Sequence, residues 1–417
     1  MNGKILWLRK LLQEFKMYSK KIVLFVFLLY TFAVNAQMSE YDLNAPFGWA
    51  TCSGIESAGD YKIVGGGTEQ SNNITLKSDG DGVDMYQKIL DAVKNNSIII
   101  FDGSNGAFTI SKTIQIKELA NRTIVGINDA RLCTKFTLTQ DVVLMLNAEK
   151  VKSATTSKGK GWKLSNGVQV KEKREYLTRQ ALINYFGDTK EIYRSAGIFS
   201  FKQCDNFIIR NIKFIGPGAC DVGGSDLVSV SKSTHFWIDH CEFSDGMDGN
   251  LDITQSSDFN TISWSVFSYT DKSYDHMNTN LIGASDSENE DYLNTTMANN
   301  IWGNRCNQRM PMARAGNVHL INNYYNCQGN SVAVNPRKNS EFLVENCYFE
   351  ANVKPFSQKD AISYNFYNCY TADEYELPQR GETKVPYTYQ KFDVMLVPTE
   401  LQKYAGATLI APLSVSY

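Results

Sequence analysis

A short strand-like block returns again and again in the second half of this chain, and it narrows the available folds more than any other feature. FIIRNIKF from Phe207, FWIDHCEF from Phe236, NTISWSVF from Asn260, TMANNIW from Thr296, HLINNYY from His319 and FLVENCYF from Phe342 lie naturally under one another. Their fifth residues, Asn211, His240, Trp264, Asn300, Asn323 and Asn346, are separated by 29, 24, 36, 23 and 23 positions. A β-type block recurring at near-constant spacing, with insertions of variable length, is the signature of a solenoid. The β-branched and aromatic content, without long amphipathic helices, selects parallel strands over helical repeats. Asparagine at a fixed place in successive coils can form a side-chain amide ladder that satisfies backbone groups at the bends. An all-β parallel solenoid is therefore expected.

The 417 residues are 43% hydrophobic and 12% aromatic, enough for one large core. A net charge of −2 gives no global attraction for nucleic acid or an anionic membrane, so any polyanion must be met by a local site. At the N-terminus Lys20 and Lys21 precede an apolar run over 22–34, and Val34-Asn35-Ala36 precedes Gln37. That order predicts a signal peptide over 1–36, with an alternative start at Met17, and an exported mature chain over 37–417. The apolar run is shorter than the roughly 20 residues a membrane span needs. Tyr86, Ile89, Leu90 and Val93 then predict a helix capping the solenoid, and 97–101 and 122–126 read as early strands. Asp79-Gly80-Asp81-Gly82 introduces that helix; a calcium loop of the helix-loop-helix kind would need Glu where Leu90 stands. The lysines at 150, 152, 158, 160, 163 and 171 belong either to a solvated loop or to a basic wall beside an acidic polymer. Nine cysteines are an odd number, and Cys306, Cys327, Cys347 and Cys369 follow at 21, 20 and 22 residues, about one coil apart. Stacked buried thiols and disulfides are both open, and no pairing is assigned.

Two stretches carry chemistry. Asp248-Gly249-Asn250-Leu251-Asp252 places two carboxylates across a glycine, an arrangement that suits either a solvated turn or a hard cation. Arg309-Met310-Pro311-Met312-Ala313-Arg314 places two guanidinium groups around a proline, just before Val318-His319 and Asn322-Asn323-Tyr324-Tyr325. WIDH, DGxxD, RxPxxR and VHxxNNYY in this order resemble the pectate lyases of the first polysaccharide lyase family. The resemblance runs from about Gly48 to Ala407.

It implies a right-handed parallel β-helix whose long loops form a cleft, and β-elimination in de-esterified polygalacturonate. Asp226, Asp248 and Asp252 match the family's calcium ligands; without a cation, three such carboxylates would raise one another's pKa. The related pectin lyases, which act on methyl-esterified polymer, do not keep these acids. Arg309 matches the base that removes the C5 proton, Arg314 the arginine that grips a substrate carboxylate, and Lys272 a substrate-binding lysine. Here Ser273 to Asn280 intervene between Lys272 and Leu281-Ile282-Gly283, an insertion with Asp275 and His276 that either displaces Lys272 or adds a contact. His240 and His319 sit inside repeats without metal-ligand spacing, so both are expected to be structural, as is Asp239. The alternatives are a pectin lyase, a β-helix polygalacturonase with paired carboxylates, and a non-catalytic pectin-binding solenoid. A secreted or periplasmic monomer without a membrane span in the mature chain is expected.

Overall fold

The computed structural model describes residues 42–67, 72–148, 196–222 and 225–415, with parts of 152–187. The chain divides into residues 1–45 and a unit spanning Pro46–Val415, which holds everything below. The expected signal peptide lies outside the described residues. Among those described, no helix is long and apolar enough to cross a membrane.

The unit is a parallel solenoid with three rows of strands. One row contains Asp205–Arg210, Thr234–Asp239, Asp258–Ser263 and Thr295–Ala298. A second contains Phe199–Lys202, Val228–Ser231, Leu251–Thr254 and Asn280–Ile282. The third includes Lys213–Ile215, Glu242–Ser244, Val266–Ser268 and Ile301–Trp302. The first two rows merge where the long strands Met312–Ile321 and Asn335–Glu345 run through both.

Stacked coils repeat every ~4.8 Å, close to the separation of two stacked rings. Phe214, Phe243, Phe267, Trp302, Tyr325 and Phe349 exploit this as one buried column, with successive centroids 5.0, 5.1, 5.6, 4.8 and 4.4 Å apart.

Strand pairing corrects the repeat alignment in two coils. Phe207, Phe236, Asn260, Thr295, Val318 and Phe342 stand in register, so two blocks begin one residue earlier than Thr296 and His319. The bend column is Asn211, His240, Trp264, Asn299, Asn322 and Asn346, all with φ between 48° and 60°. Consecutive asparagines caused the slip. The first of each pair takes the left-handed bend, which asparagine tolerates, and the second forms the ladder. Asn323 Oδ1 accepts from Asn300 N–H (2.8 Å), Asn300 Oδ1 from Ser265 N–H (2.9 Å), and Ser265 Oγ from Cys241 N–H (3.2 Å). The Asn300 amide also donates to Ile262 O at 3.0 Å. Cys347 and Cys369 continue this column, and all nine cysteines are free thiols.

The helix at Tyr86–Asn95 buries Ile89, Leu90 and Val93 and packs on the edge strand Ile114–Lys117. Helices at Gln140–Ala148 and Arg174–Phe186 were not expected; the latter falls within the polar passage read as a loop or wall. Val142, Leu146 and Leu182 join Cys220, Val222 and Met247 in a second small core beside the acidic turn. His240 and His319 are structural: His240 Nδ1 lies 2.7 Å from Asp239, itself paired with Arg210, and His319 bridges Tyr387 and Glu345.

The C-terminal segment runs back along the coils. Thr383 N–H donates to Asn365, Tyr387 Oη meets His319 and Thr296, Phe392 N–H donates to Asn322, and Leu409 N–H donates to Asn211. The Arg210 guanidinium donates to the carbonyls of Pro412 and Ser414 at 3.0 and 2.8 Å.

Asn300→Ala removes the acceptor of the buried Ser265 N–H and the donor to Ile262 O. A loss of about 2–6 kcal/mol is expected, at roughly 1–3 kcal/mol per buried group left unpaired. Denaturant unfolding of the variant against wild type measures it.

Candidate active site

Strand register builds the acidic site. Val228 pairs with Leu251, so Asp226, two residues earlier, stands one coil from Gly249, between Asp248 and Asp252 in sequence. A Cβ placed on Gly249 would lie 3.0 Å from Asp226 Oδ1, 3.1 Å from Asp252 Oδ1 and 3.5 Å from Asn278 O. Two carboxylate oxygens and a backbone carbonyl therefore converge over a residue where even a methyl group would be tight.

Burial pushes the Asp226 carboxyl well above the usual range, and the charges of Asp252 and Asp248 push it further. Burial likewise drives Asp252 up to about 7, with Arg309 opposing and Asp248 reinforcing the shift. The Leu281 N–H donates to Asp252 Oδ1 at 3.0 Å. Crowded, partly desolvated oxygen ligands of one sign are the donor set of a hard divalent cation. The residues fit calcium in chemistry and in the cradle over Gly249. Asp248 is engaged elsewhere, its Oδ1 2.9 Å from His276 Nε2. Among the described residues no three metal-ligating side chains form a ready-made group.

The three basic residues have different surroundings. Arg309 sits at φ 62°, and its charge reaches Asp226 and Asp252. Its guanidinium makes no hydrogen bond or ion pair among the described residues. Arg314 donates to Gly283 O at 2.8 Å and lies 3.2 Å from Asp286. Burial and the Arg309 charge lower its pKa. Lys272 lies 3.4 Å from Asp245 and donates to Gly216 O at 3.2 Å. The structure thus groups Asp226, Asp252 and Arg309, sets Arg314 beside them, and ties Lys272 to a separate buried carboxylate.

Sequence reasoning missed Asp245, which also accepts from Thr270 N–H, Thr270 Oγ1 and Ser273 Oγ. A Ser-Asp-Gly string reads only as a turn. The insertion after Lys272 places His276 beside Asp248.

The family model described as "Pectate lyase" matches residues 137–408. A probable pectate lyase B of Aspergillus terreus is 37% identical over 174 residues, covering 39% of this chain and 50% of that protein. A probable pectate lyase A of Aspergillus niger is 33% identical over 233 residues, covering 53% of this chain and 68% of that protein. The chain spans about half the length of the first of these relatives. A pectate lyase of Bacillus sp. N165, solved in complex with trigalacturonate, shares the fold with a TM-score of 0.56 at 18% identity, over 87% of this chain and 98% of that one.

Gly249→Ala tests the cradle. The added methyl would force the two carboxylates apart, and calcium affinity measured by calorimetry is expected to fall about tenfold, the lower end for disturbed metal surroundings.

Proposed function

The chain belongs to the pectate lyase family, and on that premise we propose that it is an exported, calcium-dependent lyase cleaving de-esterified polygalacturonate by β-elimination. The observation that carries the reading is the juxtaposition of the Asp226–Asp252 pair with Arg309 across neighbouring coils.

Asp226 and Asp252, with Asp248 once released from His276, would hold calcium. Bound there, the cation would neutralise a substrate carboxylate and stabilise negative charge developing beside it. Arg309 is the proposed base for the C5 proton. A guanidinium ordinarily keeps its proton, so this role needs concentrated positive charge nearby, of which Arg314 supplies part. An alkaline optimum is the expected consequence. With its guanidinium unengaged, Arg309 is available for proton transfer, whereas Arg314 and Lys272 already have anionic partners. Arg314 is the proposed carboxylate grip, exchanging or sharing Asp286 with the uronate. Lys272 remains a proposed substrate contact that would have to leave Asp245. Elimination needs no second carboxylate acting on water, and RxPxxR has no task in a hydrolase. The mature enzyme would begin at Gln37, after removal of residues 1–36.

The test is the near-ultraviolet absorbance of polygalacturonate incubated with the purified protein, calcium, and then a chelator. A rise abolished by the chelator is expected; reducing ends without a rise would mean hydrolysis. Arg309→Ala is expected to lower turnover roughly a hundredfold to ten-thousandfold, the range for a lost general base, with polymer binding retained.

A further inference from the structure

The insertion after Lys272 is built into the site, not appended to it. Ser273 Oγ donates to Asp245 and accepts from Ala219 N–H at 2.9 Å. Tyr274 N–H donates to Ala219 O, and Asp221 N–H donates to Asp275 Oδ1. At its far end Asn307 N–H donates to Met277 O, Thr279 N–H to Gln308 O, and Tyr269 Oη to Asn278 O at 2.6 Å. Between these anchors His276 takes a left-handed φ of 59°. Its Nε2 lies 2.9 Å from Asp248 Oδ1 and its Nδ1 3.7 Å from Asp221 Oδ1.

The Asn278 amide fixes the tautomer. Its Nδ2 lies 2.9 Å from the same His276 Nε2, while its buried Oδ1 has no partner among the described residues. One nitrogen cannot both accept from Asn278 and donate to Asp248. Turned over, the amide offers its oxygen to an Nε2–H that also donates to Asp248, which as a carboxylate can only accept. The imidazole is then a donor aimed at the third carboxylate.

We propose that His276 is a positioning residue that competes with calcium for Asp248, occupying one of its oxygens so that full ligation requires breaking the His276–Asp248 hydrogen bond. This rests on the calcium reading above. The insertion thereby weakens cation affinity, and the enzyme would respond to calcium at a higher concentration than an uninserted site of the same acids.

Calorimetric titration of calcium into the chelator-stripped full chain tests it. His276→Ala is expected to tighten binding about tenfold, the scale of one hydrogen bond to a charged group. His276→Gln, which keeps an N–H donor, should remain near wild type. Against Asp248→Asn alone, adding His276→Ala should bring no gain. Unchanged or weaker binding in His276→Ala, or a gain that survives Asp248→Asn, overturns the inference while leaving the calcium site standing. Failure of the wild type and both His276 variants to bind calcium removes the calcium reading, and this inference with it.

Discussion

At the bend that follows the first row of strands the backbone turns out of its ladder, and the buried N–H groups left there must find acceptors. The next coil provides them, through Ser265, Asn300 and Asn323. An unpaired buried amide costs more than most single contacts return, so this need helps lock the coils of Cys241, Ser265, Asn300 and Asn323 in one register. The aromatic column from Phe214 to Phe349 and the convergence of Asp226 on Gly249 both depend on that register. A slip of one residue would dissolve the site as surely as the core.

The site concentrates opposed demands in a small volume. Asp226 and Asp252 are crowded enough to resist ionisation together, yet Arg309 is placed where its charge favours their ionised forms. Binding of a cation there would be coupled to carboxylate ionisation. The small core containing Met247, Val142 and Leu182 supports the turn from behind, immediately before Asp248.

Much of this was legible in the sequence because it is periodic or consists of a rare residue string. Recurring Phe, Ile and Asn revealed the solenoid; DGxxD and RxPxxR pointed to Asp248, Asp252, Arg309 and Arg314, and the family resemblance added Asp226. Paired asparagines defeated the alignment at Asn299–Asn300 and Asn322–Asn323, since either could occupy the bend and only backbone handedness separates them. The helix at Gln140–Ala148 buries just a few apolar side chains against a local partner, which leaves a weak periodic signal. The bond between Lys272 and Asp245 joins residues on neighbouring coils, and His276, inside the insertion, meets Asp248 on the coil before. Spacing along the chain carries no record of such pairings.

Solenoids commonly lose order from their ends, one coil at a time, because each repeat touches only its neighbours. The returning C-terminal segment alters that here. By bonding to Asn365, His319, Asn322, Asn211 and Arg210 in turn, it links the last coils to coils far earlier in the stack. The terminal coil cannot peel away while this lacing holds, and once the lacing is lost several coils lose support together. A structure assembled as a linear array is thereby made to unfold more nearly as a single cooperative body.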